Sequence, residues 1–303
     1  FRGNQLEVIT RILEGKSCLN IMPTGMGKSL CYQLPAYLLA GPVVVISPLI
    51  ALMQDQCDAA PSELNPAILW SGQTPQEALQ TLDDLKNGKT RLIFISPERA
   101  TNEHFLDAIK PWLPLELLVI DEAHCISEWG HSFRPSYYRL GKVVRNELRS
   151  KSILALTATA TIETDKCIRE ILDISADNQF RFAGLHEHMD LRVEHIDHHF
   201  ASFEKWKQLA SKMMPTLIDS RRAIVYCSFR KDADNLAKAL ALSGVRANSY
   251  HSGISSSDRK RILVSFSGGS IKVVVATTAF GMGINISAVD TVIHTSIPRS
   301  LEE

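Results

Sequence analysis

A chain of 303 residues, 45% hydrophobic and 22% charged, has the make-up of one large or two ordinary globular domains, which excludes disordered, collagenous and disulfide-scaffold proteins. Lysine plus arginine (33) equals aspartate plus glutamate (33), so the chain is no basic nucleic-acid coat, and any polyanion it takes must lie in a local groove. The six cysteines, Cys18, Cys31, Cys57, Cys125, Cys167 and Cys227, never form a close pair, which argues against a zinc finger and for a reducing, intracellular compartment.

The chain opens at Phe1 with no signal peptide and closes at Leu301-Glu-Glu303, and so reads as a piece of a longer protein. Short apolar runs then follow at Cys18–Met22, Val43–Ser47, Leu92–Ser96, Leu117–Asp121 and Ile153–Thr157. They are apolar at nearly every position rather than alternating, as parallel strands covered on both faces require. Helical patterns at Ser29–Leu39, Pro75–Lys86 and Thr161–Leu172 separate them, making a βαβ series. The long uncharged stretch Ser29–Gln54 is broken by Pro35, Pro42 and Pro48, so it reads as helix, turn and strand instead of a membrane span.

After residue 200 the rhythm restarts with Ala223–Ser228, Lys272–Thr277 and Thr291–Thr295. We expect a first α/β unit over 1–175, a linker over 176–200 and a second, truncated unit over 201–303. The linker holds His186, His188, His195, His198 and His199. His186 and His188 would share one face of a strand, but no third ligand in ordered spacing accompanies them, so solvated or hydrogen-bonded histidines are the favoured reading.

Two motifs carry chemistry. The run Met22-Pro-Thr24-Gly25-Met26-Gly27-Lys28-Ser29 follows a strand and opens a helix. Gly25 and Gly27 let the backbone curl its N–H groups around a phosphate, Lys28 reaches the outer phosphates, and the Ser29 hydroxyl can ligate Mg²⁺. Met22 stands where the strict pattern has glycine, so an ordinary strand-to-helix turn is the competing reading of the run alone. The second motif ends the strand Leu117–Ile120 on Asp121-Glu122-Ala-His124. Asp121 would hold the Mg²⁺ shell and Glu122 would orient an attacking water; helix capping by Asp121 is the bland alternative. Together the two motifs point to NTP hydrolysis.

The following stretch packs Trp129, His131, Phe133, Arg134, Tyr137 and Tyr138 around breaks at Gly130 and Pro135, a composition poor for a core helix and suited to stacking on unpaired bases. At this point the sequence resembles the RecQ-family DNA helicases of superfamily 2. The matching runs are Phe1–Gln5, Met22–Gln33, Ile46–Gln56, Ile95–Arg99, Ala155–Ala160, Tyr226–Ser228, Tyr250–Gly253, Ala276–Asn285 and Ile297–Arg299.

The resemblance implies two tandem RecA-like P-loop lobes with parallel sheets, ATP in the cleft, and 3′ to 5′ translocation on single-stranded DNA with unwinding of partly duplex DNA in repair and recombination. Arg2 and Gln5 would contact adenine, and Gly281, Gly283 and Asn285 would face the nucleotide. Ser47, Ser96, Pro97, Arg99, Trp129, Phe133, Arg134 and Thr277 would meet DNA. Thr157 and Thr159, with His124, would couple the γ-phosphate to strand movement. No membrane is implied, and placement would be nuclear if the source is eukaryotic.

Three positions depart from the family pattern: Met26 for glycine, Glu128 for glutamine and Ser132 for an acidic residue. Met26 is expected to tighten the loop, and Glu128 to weaken DNA binding by like-charge repulsion. The family continues past Arg299 to an arginine run that reaches the γ-phosphate, so the chain as given is expected to bind ATP and hydrolyse it poorly. An ATP-gated DNA-binding scaffold is the non-enzymatic alternative. A P-loop small-molecule kinase leaves the aromatic stretch unexplained, and an RNA helicase of the same superfamily is the nearest enzymatic rival.

Overall fold

A computed structural model describes residues 1–70, 72–126, 140–141, 143–182, 190–195, 203–278, 280 and 288–297. The chain divides into two compact units, Phe1–Glu187 and His188–Leu301. In the first, seven parallel strands lie in the order β3-β4-β2-β5-β6-β1-β7. They are β1 Cys18–Ile21, β2 Val43–Ile46, β3 Ala67–Leu69, β4 Leu92–Ile95, β5 Leu115–Ile120, β6 Ser150–Thr157 and β7 Gln179–Arg181.

The apolar runs become strands because each face of the sheet has its own core. Leu19, Ile21, Val44 and Ile46 point into one cluster, while Cys18, Val43 and Val45 point into the other. Successive side chains along a strand alternate faces, so only a continuous apolar run can fill both cores.

The helices of this unit are α1 Gln5–Leu13, α2 Leu30–Leu38, α3 Ile50–Asp58, α4 Pro75–Lys86, α5 Glu103–Ile109 and α6 Ile162–Leu172. Helix α4 matches its expected bounds because Thr74 and Glu77 form a reciprocal capping box with proline at the first turn. Thr161 caps α6 through its side chain, accepting from the Thr164 N–H.

Strand β7 lies past the expected boundary at 175 and pairs with β1. Its Gln-Phe-Arg sequence has no apolar run to announce it; parallel pairing on the sheet edge makes it a strand.

The second unit holds a four-stranded parallel sheet, β11-β8-β10-β9, formed by β8 Ala223–Tyr226, β9 Ala247–Tyr250, β10 Val273–Ala276 and β11 Thr291–His294. Helices α7 Glu204–Asp219, α8 Arg230–Leu242 and α9 Ser256–Ser267 accompany it. Strand β11 is an edge strand with Val292 exposed, which is why it is less completely apolar than β10. Among the described residues no helix is long and apolar enough to cross a membrane.

Candidate functional site

Parallel strands in register deliver their C-terminal residues to one edge of the sheet, and the register here is explicit. Ile21 pairs with Thr157, and Ile46 pairs with both Ile120 and Ile95. The ladder runs on past the strands: Met22 N–H donates to Thr157 O (3.0 Å), Asp121 N–H to Ile46 O (2.9 Å) and Ser47 N–H to Ile95 O (3.0 Å). Thus Met22, Ser47, Ser96, Asp121 and Thr157, far apart in sequence, emerge along one edge, where open α/β sheets bind ligands.

The loop between β1 and α2 curls as its glycines foretell. Gly25 and Gly27 both have φ of +80°, a left-handed conformation that a side chain resists. Met26 between them is not in that region, so its backbone accommodates a Cβ without left-handed strain. Helix α1 braces the loop. Gln5 Nε2 donates to Met26 O (3.0 Å) and Gly27 O (2.9 Å), while its Oε1 accepts the Arg2 N–H (2.7 Å). Gln5 is therefore buried and its amide committed to the loop, whereas Arg2 and Thr24 are exposed. Lys28 folds back to donate to Met22 O (3.2 Å). Ser29 occupies the cap position of α2 without a side-chain capping bond.

Opposite, Asp121 is buried at the end of β5. Its Oδ1 accepts the Glu122 N–H (3.0 Å) and its Oδ2 accepts Gln56 Nε2 (2.9 Å). Burial pushes its carboxyl upward, the Glu122 charge adds to this, and Gln56, the Lys28 ammonium and the Glu122 N–H oppose it. Burial likewise raises Glu122, against the pull of Lys28. Glu122 holds φ of 49°, rare for a residue with a long side chain and a mark of local strain of about 1–3 kcal/mol.

His124 continues the site. Its Nδ1 lies 3.0 Å from Thr157 Oγ1 and 3.3 Å from Glu122 Oε2. Thr157 Oγ1 itself donates to Thr159 O (2.9 Å). The structure thus brings together Lys28, Asp121, Glu122, His124, Thr157 and Thr159 from one unit.

This arrangement fits a nucleotide with a divalent cation. Two left-handed glycines shape a backbone cradle, and the charge of Lys28 acts on both carboxylates. A Cβ at Gly27 would come within 2.9 Å of Gln5 Nε2. The hard oxygen donors of Ser29 and Asp121 suit Mg²⁺.

The remaining expected residues are placed less uniformly. Ser47 is fully buried, Pro97 buried and Ser96 nearly so, because each sits at a strand end under the following loop. Arg99 donates through Nη2 to Trp70 O (3.1 Å). Thr277, in the second unit, donates its N–H to Tyr250 O (3.2 Å). Trp129, Phe133, Arg134, Gly281, Gly283 and Asn285, with His186 and His188, lie outside the described residues. Sequence reasoning gave Gln56 no role, since a glutamine in an amphipathic helix reads as a surface residue. Only the fold reveals its bond to Asp121.

Comparison with known proteins fits this geometry. The DEAD/DEAH box helicase model matches residues 2–167, more than half the chain, and the helicase conserved C-terminal domain model matches 204–303. The chain belongs to the DEAD/DEAH box helicase family. Within that family it is of the RecQ type. It is 43% identical to the ATP-dependent DNA helicase Q-like 5 of Arabidopsis thaliana, covering 100% of this chain and 33% of the relative. Against the ATP-dependent DNA helicases RecQ of Bacillus subtilis and Haemophilus influenzae the identities are 39% and 38%, covering 100% of this chain and 50% and 47% of theirs. The chain therefore spans about a third to half the length of these relatives.

Among solved structures, Mycobacterium smegmatis helicase Lhr superposes with a TM-score of 0.72 at 20% identity, over 98% of this chain and 42% of that one. Saccharomyces cerevisiae Dbp5 gives 0.65 at 14%, over 98% and 74%. These two likenesses establish the fold: two RecA-like α/β units.

Proposed function

We propose that this chain is the ATP-driven motor of a DNA helicase that moves 3′ to 5′ along single-stranded DNA and separates partly duplex DNA in repair and recombination. The observation that carries the reading is the convergence of Lys28, Asp121, Glu122 and the His124–Thr157 pair at one sheet edge. Arg2, Gln5 and the loop Thr24–Ser29 would bind ATP, with Gly281, Gly283 and Asn285 contributing from the second unit. Ser29 and Asp121 would hold Mg²⁺, which when bound neutralises charge on the phosphates. The Lys28 ammonium leaves the Met22 carbonyl to meet the outer phosphates. The Glu122 carboxylate orients the attacking water and draws on its proton. His124, hydrogen-bonded to Thr157, passes the state of that carboxylate to the Thr157–Thr159 loop.

Single-stranded DNA would be met by Ser47, Ser96, Pro97, Arg99, Trp129, Phe133, Arg134 and Thr277. The full protein would act inside the cell, in the nucleus if its source is eukaryotic. The domain reading of 1–175, 176–200 and 201–303 belongs to this proposal.

The test is phosphate release from ATP by the full-length protein, which carries the sequence past Arg299, with and without single-stranded DNA and with Lys28→Ala as control. DNA-stimulated turnover that Lys28→Ala abolishes is the expected result. DNA binding with no turnover overturns the motor reading in favour of an ATP-gated scaffold.

A further inference from the structure

The Asp121 carboxylate has a neighbour that its own motif does not supply. After β2 the chain crosses Ser47 and Leu49 and enters α3, whose second turn carries Gln56. From there the Gln56 amide reaches across 65 residues of sequence to donate through Nε2 to Asp121 Oδ2 at 2.9 Å. A carboxylate accepts hydrogen bonds and cannot donate them, so the amide must present its nitrogen to Asp121, and this fixes where its oxygen lies. That oxygen, Gln56 Oε1, is buried and has no hydrogen-bond partner among the described residues.

A glutamine kept only for packing would satisfy both ends, since a buried acceptor left unpaired costs roughly 1–3 kcal/mol. Helix α3 shows the contrast: Gln54 is exposed and bonds within the helix to Asp58 Oδ1 (2.9 Å). Two more buried hydroxyls near this carboxylate also have no partner among the described residues. Ser47 Oγ follows Ile46, whose carbonyl takes the Asp121 N–H, and the Tyr32 hydroxyl lies within electrostatic reach of Asp121. Buried polar atoms without protein partners beside a carboxylate are suited to accept from, or donate to, the water shell of a hydrated cation. Mg²⁺ keeps several of its waters when it binds protein, and each such water is a strong donor.

Resting on the Mg²⁺–nucleotide reading above, we infer that Gln56 is a positioning residue for the metal. Its Nε2 holds the Asp121 carboxylate in the orientation that binds Mg²⁺, and its Oε1 accepts a hydrogen bond from a metal-bound water. No covalent or redox step is involved. Partners that orient a metal ligand in this way are worth about 10–100-fold in metal affinity.

The experiment is binding of a fluorescent ADP analogue to the whole chain, titrated with Mg²⁺ and repeated in excess EDTA, for the parent, Gln56→Met and Gln56→Ala. Direct Mn²⁺ affinity is read from its paramagnetic resonance signal. Met keeps the length of the side chain, and Ala keeps the helix should the longer residue disturb it. The expected result is a Mg²⁺ midpoint and a Mn²⁺ dissociation constant raised by about tenfold or more in the variants, with affinity in EDTA within about twofold of the parent. An unchanged midpoint, or an equal loss with and without metal, overturns the assignment while leaving the nucleotide reading intact. A parent whose binding is indifferent to Mg²⁺ overturns both.

Discussion

Nδ1 of His124 sits 3.0 Å from Oγ1 of Thr157, joining the carboxylate strand to the end of β6. The Thr157 hydroxyl already donates its hydrogen to Thr159 O at 2.9 Å, so it can only accept from the imidazole. The proton therefore rides on Nδ1, shared between Thr157 Oγ1 and Glu122 Oε2 at 3.3 Å. Under the proposed function, a change at the Glu122 carboxylate would alter how that proton is shared and so reach the Thr157–Thr159 loop.

Thr157→Val keeps the shape and removes the acceptor. The half-buried imidazole keeps its Glu122 contact but loses Thr157, and the exposed Thr159 N–H loses a partner, at a stability cost of about 0.5–1.5 kcal/mol. DNA-stimulated phosphate release is expected to fall by roughly tenfold or more, about 1.4 kcal/mol in the barrier. Fluorescent-nucleotide affinity should stay within about twofold, because the lost contact serves the transition between states and not the phosphate cradle.

Asp121 works against stability. Burial, reinforced by the Glu122 charge, raises its carboxyl in the folded state, so between the ordinary carboxylate range and its folded value the native protein binds more protons than the unfolded chain. Stability contributed by the neutral form is present at low pH and is lost as pH rises through the folded value. Asp121→Asn is accordingly expected to raise the melting temperature at pH 7.5, by about 2–4 °C per kcal/mol recovered, and to lose that advantage below about pH 4. Melting curves across pH check the sign; a variant less stable than the parent at pH 7.5 would contradict it.

The brace from α1 is testable by a double-mutant cycle. Gly27→Ala forces a Cβ into a left-handed backbone and to within 2.9 Å of the Gln5 amide, so it should weaken nucleotide binding by about tenfold or more. Gln5→Ala frees Met26 O and Gly27 O and should speed hydrogen exchange in residues 22–29. In the double variant the collision is gone but the backbone cost stays, so the two effects on binding should add to less than their sum.

Met26→Gly is expected to do little for affinity. Met26 is already outside the left-handed region, so glycine there adds only unfolded-state entropy, at a cost of about 0.4–1 kcal/mol. Nucleotide affinity within about twofold of the parent, measured by fluorescence, is the expected result. A large gain would mean that the side chain itself obstructs the phosphates.

Much of this was legible in the chain, and for identifiable reasons. Continuous apolar runs such as Val43–Ile46 and Leu92–Ile95 state that both faces of a strand are covered, and Thr74 with Glu77 states where α4 begins. Gly25, Gly27, Lys28, Asp121 and Glu122 are local motifs whose chemistry follows from spacing along a few residues. They were readable because backbone conformation and strand ends are local properties.

What only the tertiary structure decided is long-range. Gln5 to the phosphate loop, Gln56 to Asp121 and His124 to Thr157 join residues 21 or more apart in sequence, through side chains whose types are common on any surface. The short strand Gln179–Arg181 exists because β1 offers an open edge, and Ser47 is buried because Ile46 and Ile95 pair in register. Composition and periodicity record which residues prefer the interior. Which polar atoms meet there depends on the register of parallel strands, and that is set by the packing of the whole sheet.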